Sequence, residues 1–246
     1  MTSTPLSNTS RTTISSKGPR ELLAQTERQN LYDVLDAGFI GNLGVTLDER
    51  PLVVPTAYAR NGDKIYMHGS SGASTLRAAN SGALVCFTVT HVDGIVYGRA
   101  VFNNAMNYRS AVVYGVARAL TDSDERLVAL RHFSERLAPG SWDTARKPNS
   151  KELAQTTLLE LSLEEASVKI SDRFCRVADQ DLDRNQTWSG VLPIPAPQFG
   201  EPITDPSLAH PVPSVPEAVY SRNYPEAPPR KYSGTAQAKE SSVSQV

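Results

Sequence analysis

Two cysteines, Cys86 and Cys175, are the only thiols in the 246-residue chain, and they lie far apart in sequence. A disulfide framework is excluded, and a reducing, cytoplasmic setting is expected. No apolar run approaches the roughly 18 residues that cross a bilayer, and no long apolar leader core opens the chain, so neither a membrane span nor a secretory signal is expected. Lys and Arg total 25 against 26 Asp and Glu, a formal net charge of −1. Without a clustered basic excess the chain is not expected to bind nucleic acid. It also lacks a Gly-x-Gly-x-x-Gly after a strand, a P-loop and a Gly-x-Ser-x-Gly elbow, which removes the usual support for dinucleotide-fold, phosphoryl-transfer and hydrolase readings. His68, His91, His132 and His210 have no ligand-like spacing, so no dedicated metal site is expected.

The 17 prolines gather toward the C-terminus, and hydrophobic residues make up 39% of the chain. One compact domain with appendages fits this distribution better than two domains. Residues 1–20 hold Arg11, Lys17 and Arg20 among Ser and Thr with no acid, a transit-peptide-like composition. They carry no amphipathic period, so they read as a flexible N-terminal arm. Residues 21–195 form the expected domain, and 196–246 a Pro-rich disordered tail.

Within the domain, Thr26 and Gln29 have capping-box spacing, and Leu31, Val34 and Leu35 recur at helical period up to Gly38, which predicts a helix over about 26–37. Runs rich in β-branched and aromatic residues follow at 39–47, 52–60, 64–69, 84–90 and 111–120, with turn chemistry at 48–51 and at Asn61-Gly62-Asp63. A short helix is expected between Gly69 and Gly82. Another is expected over 122–137, with acids in its first turn and Leu127, Leu130, Phe133 and Leu137 on one apolar face. Late strands are expected at 156–163 and 166–170, where Leu159, Leu161 and Leu163 alternate with Glu160, Ser162 and Glu164. Short, regularly punctuated strands predict an antiparallel sheet closing into a barrel, hence a mainly β, α+β fold.

Polar residues interrupt these strands at Pro55-Thr56, Met67-His68-Gly69-Ser70, Ser74-Thr75 and Asn107-Tyr108-Arg109-Ser110. Such residues beside a glycine-containing loop can hold a phosphorylated ligand through backbone N–H donors and the charged fork of Arg. For Arg109 the competing reading is a surface strand residue in an ion pair, and for His68 a hydrogen-bonded structural residue. Cys86 lies in an apolar run and reads as a small core residue.

The segments Gly38–Ile40, Val53–Tyr58, Tyr66–Ser70, Val85–Thr90 and Asn104–Gly115, followed by Thr187-Trp188-Ser189-Gly190-Val191-Leu192-Pro193, occur in one order across residues 20–195. Together they resemble the pyridoxamine 5′-phosphate oxidase-like flavin-nucleotide-binding family, in the branch that includes nitroimidazole-resistance proteins. The resemblance implies an FMN-binding split β-barrel with short flanking helices, working as a homodimer with FMN at the interface. By that likeness Val54, Pro55 and Thr56 run along the flavin ring, and Met67 and His68 lie near its edge, His68 as the candidate catalytic group. Ser74 and Thr75 face the phosphate, Tyr108, Arg109 and Ser110 meet the cofactor, and Trp188 covers the ring or substrate. Related chains carry Arg where this one has Thr75, a departure that weakens phosphate binding.

The implied function is an FMN-dependent oxidoreductase acting on a small organic substrate, through nitro-group reduction or a step in specialised metabolism. Synthesis of the vitamin B6 cofactor is disfavoured, because the C-terminal basic cluster of the true oxidases is replaced by a Pro-rich end. The alternatives are a non-catalytic flavin or haem binder, or an interaction protein that uses segments such as Pro225–Arg230.

Overall fold

The computed structural model describes residues 6, 24–25, 27–183, 186–197 and 199–207. Its elements in chain order are β1 (Ala24–Gln25), α1 (Arg28–Asp36), β2 (Ile40–Leu47), β3 (Arg50–Asn61), β4 (Lys64–Ser70), α2 (Ser74–Ala79), β5 (Val85–Tyr97) and β6 (Ala105–Gly115). There follow β7 (Arg118–Ala119), α3 (Ser123–Leu137), α4 (Ser141–Thr144), α5 (Ser150–Ala154), β8 (Thr156–Ser162), β9 (Glu165–Ser171) and β10 (Gly190–Pro193). The strands form one antiparallel sheet in the order β1-β9-β6-β5-β2-β3-β4-β8-β7, with β10 added to β5. Strands β8 and β9 are consecutive in sequence, yet each pairs with a different part of the sheet. The sheet therefore curls into two half-barrels, the split β-barrel expected from the sequence.

Alternation sets the inner face. Leu43 and Val45 on β2, Phe87 and Val89 on β5, Ala111 and Val113 on β6, and Leu159 and Leu161 on β8 all point to one core. Helix α1 lays Leu31, Val34 and Leu35 into that core, each fully buried and each stabilising by about 1.5–3 kcal/mol. The end of α1 toward the β3–β4 turn is anchored by Arg28, whose guanidinium reaches Asp63 at 2.8 Å. Helix α3 instead covers the outside of the barrel, where Tyr66, Ala129 and Leu158 form a smaller cluster.

Several local expectations change. Glu27 stands at the N-cap of α1 without a side-chain bond, and Gln29 donates to Asp33, while Thr26 of the expected Thr26–Gln29 box lies outside the described residues. Ala37 ends the helix in right-handed geometry. Gly38 is needed for space, since a Cβ there would stand 2.8 Å from His91 Cε1. At Asn61-Gly62-Asp63 only Gly62 takes positive φ (57°), because the two-residue loop is Gly62-Asp63. The turn with two positive φ values is Asp48-Glu49, at 50° and 60°, where the hairpin's twist demands left-handed backbone of both residues. On α3 the buried line runs through Ala129 and Phe133, one helical turn apart, and leaves Leu137 exposed. Asp122 caps that helix, accepting from the N–H groups of Asp124 and Glu125.

Strand β5 continues to Tyr97, well past the predicted end at residue 90. Its register against β6 slips between Val92 and Gly94, so Asp93 is an extra residue in a β-bulge. The expected N-terminal arm lies outside the described residues except for Leu6, which packs partly against the core. Residues 199–207 carry no helix or strand, and Phe199 meets Phe39 at 6.4 Å. The remainder of the expected disordered tail, 208–246, lies outside the described residues.

Candidate functional site

Cross-strand register sorts the predicted site residues onto different faces, because directly opposed residues share a face and neighbours along a strand do not. Pro55 pairs with Asn42, and Asn42 with Thr88. Ser110 pairs with Thr90 and Tyr108 with Val92. These residues stand on the outer face of β3-β2-β5-β6, half-buried or exposed. Gly44 keeps that face low between Val53 and Cys86, where a Cβ would sit 3.3 Å from the Cys86 carbonyl oxygen. Cys86 is therefore an outer-face residue rather than a core one, and burial pushes its thiol up.

Val54 and Thr56 lie on the opposite row, facing Leu43 and Gly41, and the Thr56 hydroxyl donates to the Val54 carbonyl at 3.1 Å. Met67 is fully buried in the core. Arg109 also points inward, away from Tyr108 and Ser110, and is only 5% exposed. Its Nε and Nη2 donate to the two carboxylate oxygens of Asp93 at 2.9 Å each, so the planar fork is filled by a bidentate partner inside the protein. The ion pair of the competing reading is present, but it is buried in the inner face and not on the surface.

Trp188 arrives from late in the chain. Strand β10 adds to β5 with Gly190 opposite Tyr97, Val191 opposite Val96 and Leu192 opposite Ile95. The Trp188 ring, 63% exposed, lies 5.5 Å from the Tyr97 ring and folds back over Gly190, where a Cβ would meet Trp188 Cζ2 at 2.8 Å. Tyr97, Met106, Leu192 and Trp188 thus leave a continuous exposed apolar surface at this end of the outer face.

Ser74 and Thr75 open α2 behind the Ser70–Ala73 loop, Ser74 exposed and Thr75 half-buried. The cation missing at position 75 has a neighbour in the same helix: Arg77 is exposed and donates to the Gly72 carbonyl at 2.6 Å. His68 lies on the outside of β4 beneath α3, its ring edge-on to Phe133 with centroids 4.1 Å apart. Burial alone lowers its pKa, and its Nδ1 is buried with no hydrogen-bond partner among the described residues. His91, inside the barrel, differs. Its Nε2 bonds the Val34 carbonyl at 3.0 Å, and burial again holds its pKa below the ordinary value.

Asp93, Tyr97, Arg77 and the Asn42–Thr88–Thr90 row were not singled out from the sequence. A signal for the first was present: Asp93-Gly94 is a turn-type dipeptide inside an apolar run, and glycine within a strand marks a bulge.

The profile described as pyridoxamine 5′-phosphate oxidase matches residues 27–170. Among solved structures, the flavocytochrome Anf3 from Azotobacter vinelandii is 31% identical, with a TM-score of 0.80 over 88% of this chain and 98% of its own. The FAD and haem binding protein from Mycobacterium smegmatis is 33% identical, with a TM-score of 0.75 over 80% of this chain and 96% of its own. A Bacteroides thetaiotaomicron protein described as a 5-nitroimidazole antibiotic resistance protein, 17% identical with a TM-score of 0.53 over 60% of this chain and 86% of its own, shares the fold. No curated protein sequence matches the chain. The outer-face geometry, the ordered strands and these likenesses agree, and the chain belongs to the pyridoxamine 5′-phosphate oxidase family of split β-barrels.

Proposed function

We propose that this chain is a flavin-binding redox protein that holds its flavin against the outer face of the sheet and takes haem as a second group at His68. The observation that carries the haem half is the buried, unpartnered Nδ1 of His68. A neutral imidazole is the commonest nitrogen ligand to a metal, and burial keeps His68 neutral at physiological pH. Of the other described histidines, His91 already spends its Nε2 on Val34, and His132 is exposed. The likeness, above 30% identity, to a flavocytochrome and to an FAD and haem binding protein supports the same reading. His68 is accordingly assigned iron ligation in place of the flavin-side catalytic role expected from the sequence.

The flavin half rests on chemistry the outer face supplies. Pro55 and Val53 offer flat apolar surface for an isoalloxazine ring toward one end of the face, and Tyr97 and Trp188 an aromatic surface at the other end. Tyr108, Ser110, Asn42 and Thr90 offer hydrogen-bonding groups beside it, and Arg77 a charge near the loop ahead of α2. When bound, flavin supplies hydride or electron transfer to a small organic acceptor, and the protein supplies position and electrostatics. The likeness to an FAD and haem binding protein supports FAD in place of FMN as the flavin of this chain. The exposed apolar end of the face supports a homodimer that covers the site with a second copy.

The test is direct. The purified protein is reconstituted with FAD, FMN and haemin in turn, bound chromophores are released and identified by mass, and haem is quantified by its pyridine complex. FAD and haem retained in a dimer by sedimentation is the expected result. FMN retained instead corrects the flavin assignment, and a protein that retains no chromophore overturns the proposal.

A further inference from the structure

Strand β5 keeps β6 on one edge along its whole length, but its other edge changes partner. Over Cys86–Thr88 that edge belongs to β2, and over Gly94–Tyr97 it belongs to β10. The bulge at Asp93 lies between the two. A bulge bends its strand and increases the local twist, which swings the second half of β5 away from β2 and opens the edge that β10 fills. The Asp93 main chain joins that second ladder itself: its carbonyl accepts from the Ile194 N–H at 3.0 Å, directly after the Gly94–Pro193 pair. Its side chain is held by Arg109 from β6 with two 2.9 Å bonds, both side chains nearly excluded from solvent, at 6% and 13% exposure.

One residue therefore has its carboxylate fixed by the inner face and its carbonyl bound to the late segment. We propose that Arg109 and Asp93 are positioning residues for the Trp188 segment: the buried pair locks the bulge, the bulge presents the edge that receives β10, and β10 sets where Trp188 stands on the outer face. The consequence for flavin rests on the outer-face reading above, whereas the coupling between the pair and β10 does not. Neither residue touches the outer face, so the pair acts on the site only through the backbone.

Hydrogen exchange of the full chain, read by mass spectrometry, tests the coupling before any flavin is added. In Asp93→Asn, peptides covering 188–195 are expected to lose protection by about tenfold or more, while those covering 85–91 and 105–115 keep theirs. Arg109→Lys retains the charge without the fork and is expected to give a smaller release confined to the same segment. Arg118→Ala, which breaks an exposed pair with Glu125, is the control and leaves 188–195 protected. In a Trp142→Phe background, acrylamide quenching of Trp188 rises in step with exchange.

A folded Asp93→Asn protein whose 188–195 segment stays protected overturns the proposal. Should Asp93→Asn lose protection everywhere, Arg109→Lys decides, and global loss or no local release there overturns it too. Released 188–195 with weaker FAD binding supports both the latch and the outer-face site. Released 188–195 with unchanged FAD binding supports the latch and refutes the outer-face assignment of the flavin.

Discussion

Two half-buried imidazoles sit on opposite sides of the same sheet, and they are treated differently. Inside the barrel, His91 lies among satisfied groups: its ring bonds Val34 of α1, and its neighbours Arg109 and Asp93 satisfy each other. Outside, beneath α3, His68 is pressed against Phe133 with a nitrogen that finds no hydrogen-bond partner among the described residues. A buried polar atom without a partner costs about 1–3 kcal/mol, so a stable fold carries one where something other than stability is served. The inner side of the sheet is built for holding shape, and the side under α3 carries the nitrogen that the proposed haem would take.

The sharpest break in that comparison comes from Arg109→Ala. Removing the bidentate partner of the nearly buried Asp93 carboxylate is expected to cost about 3–5 kcal/mol in urea denaturation, while Arg118→Ala at the exposed pair costs about 1 kcal/mol or less. Next comes the histidine pair. His91→Leu strands the Val34 carbonyl and is expected to lose about 1–3 kcal/mol, whereas His68→Leu keeps or raises stability because it removes an unsatisfied group. The same His68→Leu protein is expected to lose its haem absorption entirely, and retention of a normal haem spectrum assigns the ligand elsewhere.

Smaller effects sharpen the picture. Tyr58→Phe deletes the hydroxyl that donates to the Leu35 carbonyl at 2.5 Å, at an expected cost of about 0.5–1.5 kcal/mol by thermal melting. Both histidines have pKa values lowered by burial from the ordinary 6.5. Between their folded values and 6.5 the unfolded chain binds more protons, so stability falls as pH drops below 6.5 and stops falling below the folded values. Melts in His68→Leu and His91→Leu should each lose part of that slope, and an unchanged slope in both places the titration elsewhere. The smallest effect is expected from removing residues 208–246: with few large apolar residues there, the melting temperature should stay within a degree or two.

Residues whose meaning is local were readable in advance. The Leu159-Leu161-Leu163 alternation, the helical period of Leu31, Val34 and Leu35, and the acids in the first turn of α3 depend on neighbours a few positions away, and each stands in the structure as the sequence reading has it. Period 2 also guarantees that Tyr108 and Ser110 cannot share a face with Arg109, but it cannot say which face meets the core. That was decided by strands far along the chain: β9 against one edge of β6, α1 beneath it, and the Asp93 bulge that turns a carboxylate inward. Likewise, one histidine bonds a carbonyl 57 residues away while another is left without a partner beneath α3. The sequence determined the periods, turns and family of this protein. Burial and the partners of each polar side chain were decided by long-range packing, because the free energy of a polar group depends on what surrounds it after folding.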